Sequence, residues 1–368
     1  MNKTLRVAVV GAAGRGRSFF TPILIHPKTE LTALCDINMD ALKPTGAEVG
    51  IDQLFSDCEE MLDRAKPDVL IVGTPMQWHV PHSLLALERG IHVMSEVPVG
   101  VSIEECRQLV AAAKKSRGKY MMAENYCYMR PNVLVKALAR AGLFGEPYFG
   151  EGEYIHELKG LNEITKWRRK WQTGINGITY PTHSLGPVMQ WFQERVVAVC
   201  SFGSGHHYRD PRGDLYENED SCHMACRMAK GGLVNIRVDM LSNRPHNMTY
   251  YSLQGTDGCY ESARGLGDQP KIWLKKHNPD RVEWRPLADF ENDFLPDNWL
   301  HPPEEALKAG HGGGDYYELM DFIDAIVAER EPPIDIHAAL DMTLPGLVSQ
   351  QSIQQGCVWL PVPDSRTW

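Results

Sequence analysis

No run of about 18 apolar residues passes through this chain, so no segment has the makings of a membrane-spanning helix. Positive charge is in deficit as well. Lys and Arg number 38 against 47 Asp and Glu, a formal net charge of −9. Such a balance offers no overall attraction to nucleic acid or an anionic membrane, and the expected partner is a small molecule or another protein. One basic run, Lys166 with Arg168, Arg169 and Lys170, is the local exception. Cysteine lacks order: there are nine, an odd number without regular spacing, which excludes a disulfide framework and points to reduced thiols in the cytoplasm. Cys222 and Cys226 flank His223, but they fall on an apparent strand and do not have metal-clip spacing, so no metal is expected. The stretch before Gly11 is too short for a signal h-region. Internal repeats and low-complexity tracts are absent. What remains is ordinary for a globular protein. Its 368 residues suggest about two domains, and 43% apolar with 23% charged residues rules out disorder and fibres.

The front of the chain carries the first positive signal. Leu5 to Val10 is a β-rich run that ends in Gly11-Ala12-Ala13-Gly14-Arg15-Gly16. A helical pattern from Arg17 to Ile25, a second strand from Leu31 to Cys35 and then Asp36 follow. Strand, glycine-rich turn, helix, strand and acid make up the dinucleotide-binding arrangement. Glycine lets the backbone approach a pyrophosphate, the helix N-terminus offers N–H groups to it, and the acid accepts hydrogen bonds from ribose hydroxyls. Ala13 stands at the middle glycine position, with Gly14 beside it. Asp36 would repel a 2′-phosphate and no arginine follows it, which favours NAD; Arg15 and Arg17 are the residues that could still reach a phosphate. Further strand–helix alternation to Ala123 predicts a parallel, doubly wound α/β sheet. Its strand ends carry Asp36, Thr74-Pro75, Glu96-Val97-Pro98 and Glu124-Asn125, which are expected to line one crevice.

After Asn125 the pattern changes. Helices are expected at Pro131–Ala141 and Pro181–Phe192, and a loop at Lys159–Asn176. Strands are expected at Tyr148–His156 and then at short spacing from Val196 to Trp284 (Val282–Trp284 being the last). A non-periodic, proline-rich segment covers Asp289 to Gly314, and two helices close the chain. This predicts an α+β domain with a large, mainly antiparallel open sheet. The expected division is 1–124 for the dinucleotide, 125–335 for substrate and oligomerisation, and 336–368 as a closing helix and tail.

Lys66-Pro67-Asp68, Gly73-Thr74-Pro75 with His79, and Glu96-Val97-Pro98 resemble the glucose–fructose oxidoreductase / inositol dehydrogenase (Gfo/Idh/MocA) family over essentially the whole chain. Most members carry Glu-Lys-Pro at the third motif, where the lysine serves the reacting hydroxyl. Val97 replaces that lysine here. Glu124-Asn125-Tyr126-Cys127-Tyr128, Tyr154-Ile155-His156-Glu157-Leu158, Trp167-Arg168, Tyr180-Pro181-Thr182-His183 and His311-Gly312-Gly313 with Asp315-Tyr316 resemble the NAD-dependent glycoside hydrolases typified by α-N-acetylgalactosaminidase. The resemblance implies a tightly bound, recycled NAD. It also implies cleavage by transient C3 oxidation, C2 deprotonation, elimination, water addition and re-reduction. The carboxylate pair of ordinary glycosidases is then not required.

By that resemblance His183, Tyr180, Tyr154, Glu124 and Arg168 take catalytic positions. Gly11, Ala13, Gly14, Arg15, Gly16, Asp36, Thr74, Pro75, His79, Glu96, Val97 and Asn125 take the cofactor, and Trp167, His246 and His311 the substrate. His246 follows Arg244-Pro245, where relatives often place a tyrosine. Tyr180 and His183 lie three apart at a helix start, so both can face one crevice, and histidine exchanges protons near neutrality. The alternatives are a sugar or cyclitol dehydrogenase with net hydride transfer, and a non-catalytic NAD(H) sensor. A homodimer or homotetramer is the expected assembly.

Overall fold

The computed structural model describes residues 4–245 and 248–368. The chain begins with β1 (Leu5–Val10), a 3-10 turn (Arg15–Phe19) and α1 (Phe20–Ile25). It continues through β2 (Thr29–Cys35), α2 (Met39–Val49), β3 (Leu54–Phe55), α3 (Cys58–Ala65), β4 (Val69–Val72), α4 (His79–Glu88), β5 (His92–Ser95), α5 (Ile103–Lys115) and β6 (Tyr120–Met122). Next come α6 (Arg130–Arg140), β7 (Pro147–Ile155), α7 (Lys159–Ile164), α8 (Trp167–Trp171) and α9 (Thr182–Phe192). Seven strands follow: β8 (Val196–Gly203), β9 (Ser221–Met228), β10 (Leu233–Asp239), β11 (Thr249–Gly255), β12 (Gly258–Glu261), β13 (Lys271–Leu274) and β14 (Arg285–Pro286). After several one-turn helices, α10 (Gly314–Val327), α11 (Ile336–Gln354) and β15 (Leu360–Pro361) complete the order. Among the described residues no helix is long and apolar enough to cross a membrane.

Two compact units result. The first comprises residues 1–128, 303–340 and 365–368. Its six strands lie in the order β3-β2-β1-β4-β5-β6, all parallel. Residues 7–10 of β1, 69–72 of β4 and 93–94 of β5 are buried, which is why these stretches read as continuous apolar runs and not as alternating ones. Strand order reverses between β1 and β4, where doubly wound sheets bind their ligands. The surrounding helices start on side-chain caps: Asn38 for α2, Asp57 for α3 and Ser102 for α5, each accepting from the backbone N–H three residues on.

The second unit, residues 129–302 and 341–364, is built on nine strands in the order β14-β13-β12-β11-β7-β10-β9-β8-β15. Every strand pair in it is antiparallel except β7 with β10. Strand β9 alternates strictly: Cys222, Met224 and Cys226 face the core, while His223 and Arg227 face away. All nine cysteines are free thiols. Helix α9 lies directly on β7, and two glycines make that approach possible. A β-carbon on Gly152 would sit 1.9 Å from the Ser184 carbonyl oxygen, and one on Gly150 would sit 2.8 Å from the Phe192 ring.

Several expectations are corrected. Helix α2 has no counterpart among the expected elements; Pro44, Thr45 and Gly46 obscure its periodicity, but its Asn38 cap and Gly50 exit define it. The expected helix from Arg17 begins as a 3-10 turn at Arg15. The expected loop at 159–176 contains α7 and α8. The last strand falls at Arg285–Pro286 and not at Val282–Trp284. The largest difference concerns the division into units. Residues 303–340 pack with the first unit and the latter part of α11 with the second, so neither 125–335 nor 336–368 is one body.

The close contact of α9 with β7 yields a test. Gly152→Ala is expected to lower stability by about 1–3 kcal/mol, because the helix backbone itself must move. A reduced urea midpoint with unchanged NAD affinity checks it.

Candidate functional site

The crevice at the strand ends of the first unit is built by close backbone approach. Gly11 has φ +79°, and a β-carbon there would lie 2.5 Å from the Gly73 carbonyl. On Gly16 a β-carbon would lie 2.7 Å from Val9. Gly14 is different: its nearest such neighbour is 3.8 Å away, so its outward side is open to a ligand. The Asp36 carboxylate accepts from Ala13 N at 3.0 Å and from Asn38 N at 2.9 Å, which holds the glycine-rich loop beside the end of β2. A cleft of about 270 Å³ opens next to it, with Gly11, Asp36, Ile37, Thr74, Pro75 and Trp78 among its walls. The exposed Trp78 stacks on His82 with ring centroids 5.7 Å apart. Burial, and then the neighbouring His79, bring His82 down to about 4, so its ring is neutral near pH 7. These features fit an adenine dinucleotide: open glycine backbone for phosphate, an acid for ribose, an aromatic wall for a base.

His79 is 1% exposed and joins two turns. Its Nδ1 is 2.8 Å from the Pro98 carbonyl and its Nε2 is 2.9 Å from that of Thr74. Burial lowers its pKa, while the two carbonyl acceptors oppose that by favouring the protonated ring.

Arg15 is the hub of the first unit's crevice. Its Nε donates to Glu96 Oε1 at 2.7 Å, and Nη1 and Nη2 donate to the two Asp315 oxygens at 2.7 Å each. Asn125 Nδ2 donates to Asp315 Oδ1 at 2.9 Å, and His311 Nδ1 lies 3.0 Å from the same oxygen. Burial alone would raise the Asp315 carboxyl, but Arg15 and His311 outweigh it and hold it well below the usual carboxylate range. Burial likewise opposes the Arg15 charge, and Glu96 and Asp315 overcome it. Arg17 is engaged elsewhere, with Glu48 at 2.6 Å. Both arginines that could have met a 2′-phosphate are therefore held by carboxylates. Val97 is buried between Glu96 and Pro98 at 3% exposure. Glu124 is fully buried, and its Oε1 accepts from Tyr126 N at 3.1 Å.

The second unit assembles a different group. Tyr154 stands near the end of β7, Tyr180 just before α9 and His183 in its first turn. Their rings converge: Tyr154–His183 5.1 Å, Tyr180–His183 5.0 Å and Tyr154–Tyr180 5.9 Å between centroids. The Tyr154 hydroxyl is 2.8 Å from His156 Nδ1. Tyr251 fixes the start of α9 by donating from its hydroxyl to the His183 carbonyl. Arg168, on α8, donates to Thr165 Oγ1 and Gln172 Oε1 and lies 4.4 Å over the Trp167 ring, so its partners are local. His246 lies outside the described residues.

Three residues have no role assigned from the sequence, although His156 and Asp315 stand within its motif blocks. His156 is visible in principle, two positions from Tyr154 at the end of a strand. Asp315 is hidden because its partner Arg15 lies 300 positions away, and Glu318 because the charged groups around it are brought there only by folding. No group of three or more His, Cys, Asp or Glu among the described residues is placed to hold a metal.

Two family models together cover nearly the whole chain. Residues 5–124 match the oxidoreductase family, NAD-binding Rossmann fold, and residues 128–367 match glycosyl hydrolase 109, C-terminal domain. A glycosyl hydrolase family 109 protein of Saccharopolyspora erythraea is 31% identical, over 99% of this chain and 83% of that protein. One from Shewanella pealeana is 28% identical over 98% and 85%. Among solved structures, a levoglucosan dehydrogenase in complex with NADH and levoglucosan superposes with a TM-score of 0.81 at 20% identity, covering 98% of this chain and all of that one. An oxidoreductase domain protein from Kribbella flavida does so with 0.81 at 17%, again over 98% and 100%. At such identities the structural likeness speaks for the fold.

Removing one carboxylate from the hub tests its weight. Asp315→Asn is expected to cost about 2–4 kcal/mol at pH 7, because Arg15 keeps its buried charge and loses a partner. Asp315 has a depressed folded pKa, so its stabilisation is present above the unfolded value of about 3.9 and disappears as pH falls through the folded value. The wild-type advantage in urea unfolding should therefore shrink toward acid pH. NAD affinity should fall by about tenfold at pH 7.

Proposed function

The chain belongs to glycosyl hydrolase family 109, and from that premise we propose that it is an NAD-dependent glycosidase acting on small, neutral glycosides. The proposed route is transient oxidation at C3, proton loss at C2, elimination of the aglycone, water addition and re-reduction. The observation that carries this reading is the Tyr154–Tyr180–His183 ring cluster with His156 behind Tyr154. It supplies several proton-exchanging groups, while the position that holds lysine in the common sugar dehydrogenases holds the buried Val97.

When bound, the dinucleotide supplies a hydride acceptor that becomes the donor later in the same cycle. Gly11, Ala13, Gly14, Gly16 and Asp36 would hold its phosphates and ribose, with Thr74, Pro75, His79, Glu96 and Asn125 shaping the rest. The protein's own groups then manage protons. Tyr154 can pass a proton at its phenolic oxygen because His156 accepts or returns it over 2.8 Å. His183, packed against both tyrosines, exchanges a proton with the sugar at C2 or at the C3 hydroxyl. Arg168 and Trp167 would orient the sugar, the tryptophan by stacking and the guanidinium by hydrogen bonds. Glu124 would contribute a buried acid, and His311 would meet substrate from the rim of the Asp315 cluster.

We further read the enzyme as a cytoplasmic homodimer or homotetramer. Nine free thiols support the first point. The outer face of β8, β9 and β10 supports the second. It exposes Phe202 stacked on His223, Leu233 opposite Arg227, and Trp359 under the Arg227 guanidinium.

A panel of aryl α- and β-glycosides, including N-acetylated sugars, tests the activity. Release of the phenolate without net NADH, and deuterium at product C2 when the reaction runs in heavy water, are the expected results. NADH that accumulates from a free sugar, with no C2 exchange, would identify a dehydrogenase instead. His183→Gln should lower turnover by about 10²–10³-fold with NAD affinity unchanged.

A further inference from the structure

Glu318 is fully buried on α10, one turn beyond Asp315, and neither of its carboxyl oxygens has a hydrogen-bond partner among the described residues. Its surroundings make that unusual. Asp315 faces it from its own helix, Glu96 from the turn after β5, Glu124 from the end of β6 and Arg15 from the glycine-rich loop. Tyr128, from the turn after β6, completes the shell. One guanidinium thus meets several carboxyl groups, and its hydrogen bonds are already given to Glu96 and Asp315. A further ionised carboxylate would be buried without a counter-charge, which costs several kcal/mol. Burial first, then Asp315 and Glu96, push the Glu318 carboxyl well above its ordinary value. The Tyr128 phenol is raised too, by burial and then by Asp321 and Glu318.

We propose that Glu318 is a positioning residue that works as a neutral acid. By keeping its proton while its neighbours are ionised, it stays out of competition for Arg15 and leaves the glycine-rich loop clamped to Glu96 and Asp315. The bearing on cofactor binding rests on the dinucleotide reading of that loop; the protonation state does not.

The sign of the linkage supplies the experiment. A carboxyl whose folded pKa lies above its unfolded value binds its proton more tightly in the folded state. Its burden on stability is absent below the unfolded pKa of about 4.3, grows as pH rises toward the folded pKa and is constant beyond it. Glu318→Gln keeps the shape and removes the titration. Thermal unfolding of wild type and variant from pH 5 to pH 8.5 should show the variant gaining on wild type by about 3 °C or more across that range. NADH affinity of the variant at pH 7 should stay within about twofold of wild type. The infrared carbonyl band of a protonated carboxylic acid should be present in wild type at pH 7 and lost in the variant.

A gap that stays constant with pH would overturn the proposal, since a packing role alone produces that. So would loss of NADH affinity by about tenfold or more at pH 7, which would mean that a negative charge is needed there. Should Glu318→Gln fold poorly, Glu318→Leu removes the same titration and must show the same pH trend, or the proposal falls. If wild type binds no NADH at any pH, the dinucleotide reading fails separately, and the unfolding gap still decides the state of Glu318.

Discussion

The ion cluster centred on Arg15 is the interaction on which the first unit's binding half depends. Three segments far apart in the chain meet at one guanidinium: the glycine-rich loop, the turn after β5 and the beginning of α10. Each bond is charge-assisted and short, and the two to Asp315 form a fork that fixes orientation as well as distance. The loop of small residues is held from within by close backbone approach at Gly11 and Gly16 and by Asp36, but it has no long side chain besides the arginine to reach other segments. The arginine supplies what glycine and alanine cannot, namely a rigid attachment that still leaves the backbone of Gly14 open to a phosphate.

Much of this half is legible in the amino-acid sequence. The run from Leu5 to Asp36 follows a local grammar in which a strand, a tight turn, a helix and an acid each leave a signature within a few residues. The buried strands can be read for the same reason, because β4 is wholly apolar and β1 ends in four apolar residues. What cannot be read is long-range. Asp315 and Glu318 sit in a helix whose pattern says only that it is amphipathic, and nothing near them names Arg15. The boundary between units is hidden for a related reason: a break in composition marks where a pattern changes, not which body the next segment joins.

The second unit shows the opposite balance. Its strands and the Tyr-Pro-Thr-His start of α9 are visible from alternation and from the turn chemistry of proline. The convergence of Tyr154, Tyr180 and His183 is expected from resemblance, and the fold supplies its geometric cause. Gly150 and Gly152 remove two side chains from the face of β7, so α9 comes down onto the strand and brings His183 beside Tyr154. The three rings meet because two positions on one face of β7 carry no side chain. Arg168, by contrast, is tied to its own short helix by Thr165 and Gln172, an arrangement that a basic run in the sequence does not announce.

The first unit is assembled from both ends of the chain. Residues 303–340 and 365–368 belong to it, and the Lys114 ammonium donates to the backbone carbonyl of Trp368. A ribosome delivers the glycine-rich loop early and Asp315 only after most of the chain has emerged. During synthesis the nucleotide-binding sheet can form while its arginine still lacks half of its partners. The grip on a cofactor is therefore completed late, by residues made after every strand of the second sheet except β15. A fragment cut at the end of the parallel sheet would keep the strands and lose the clamp.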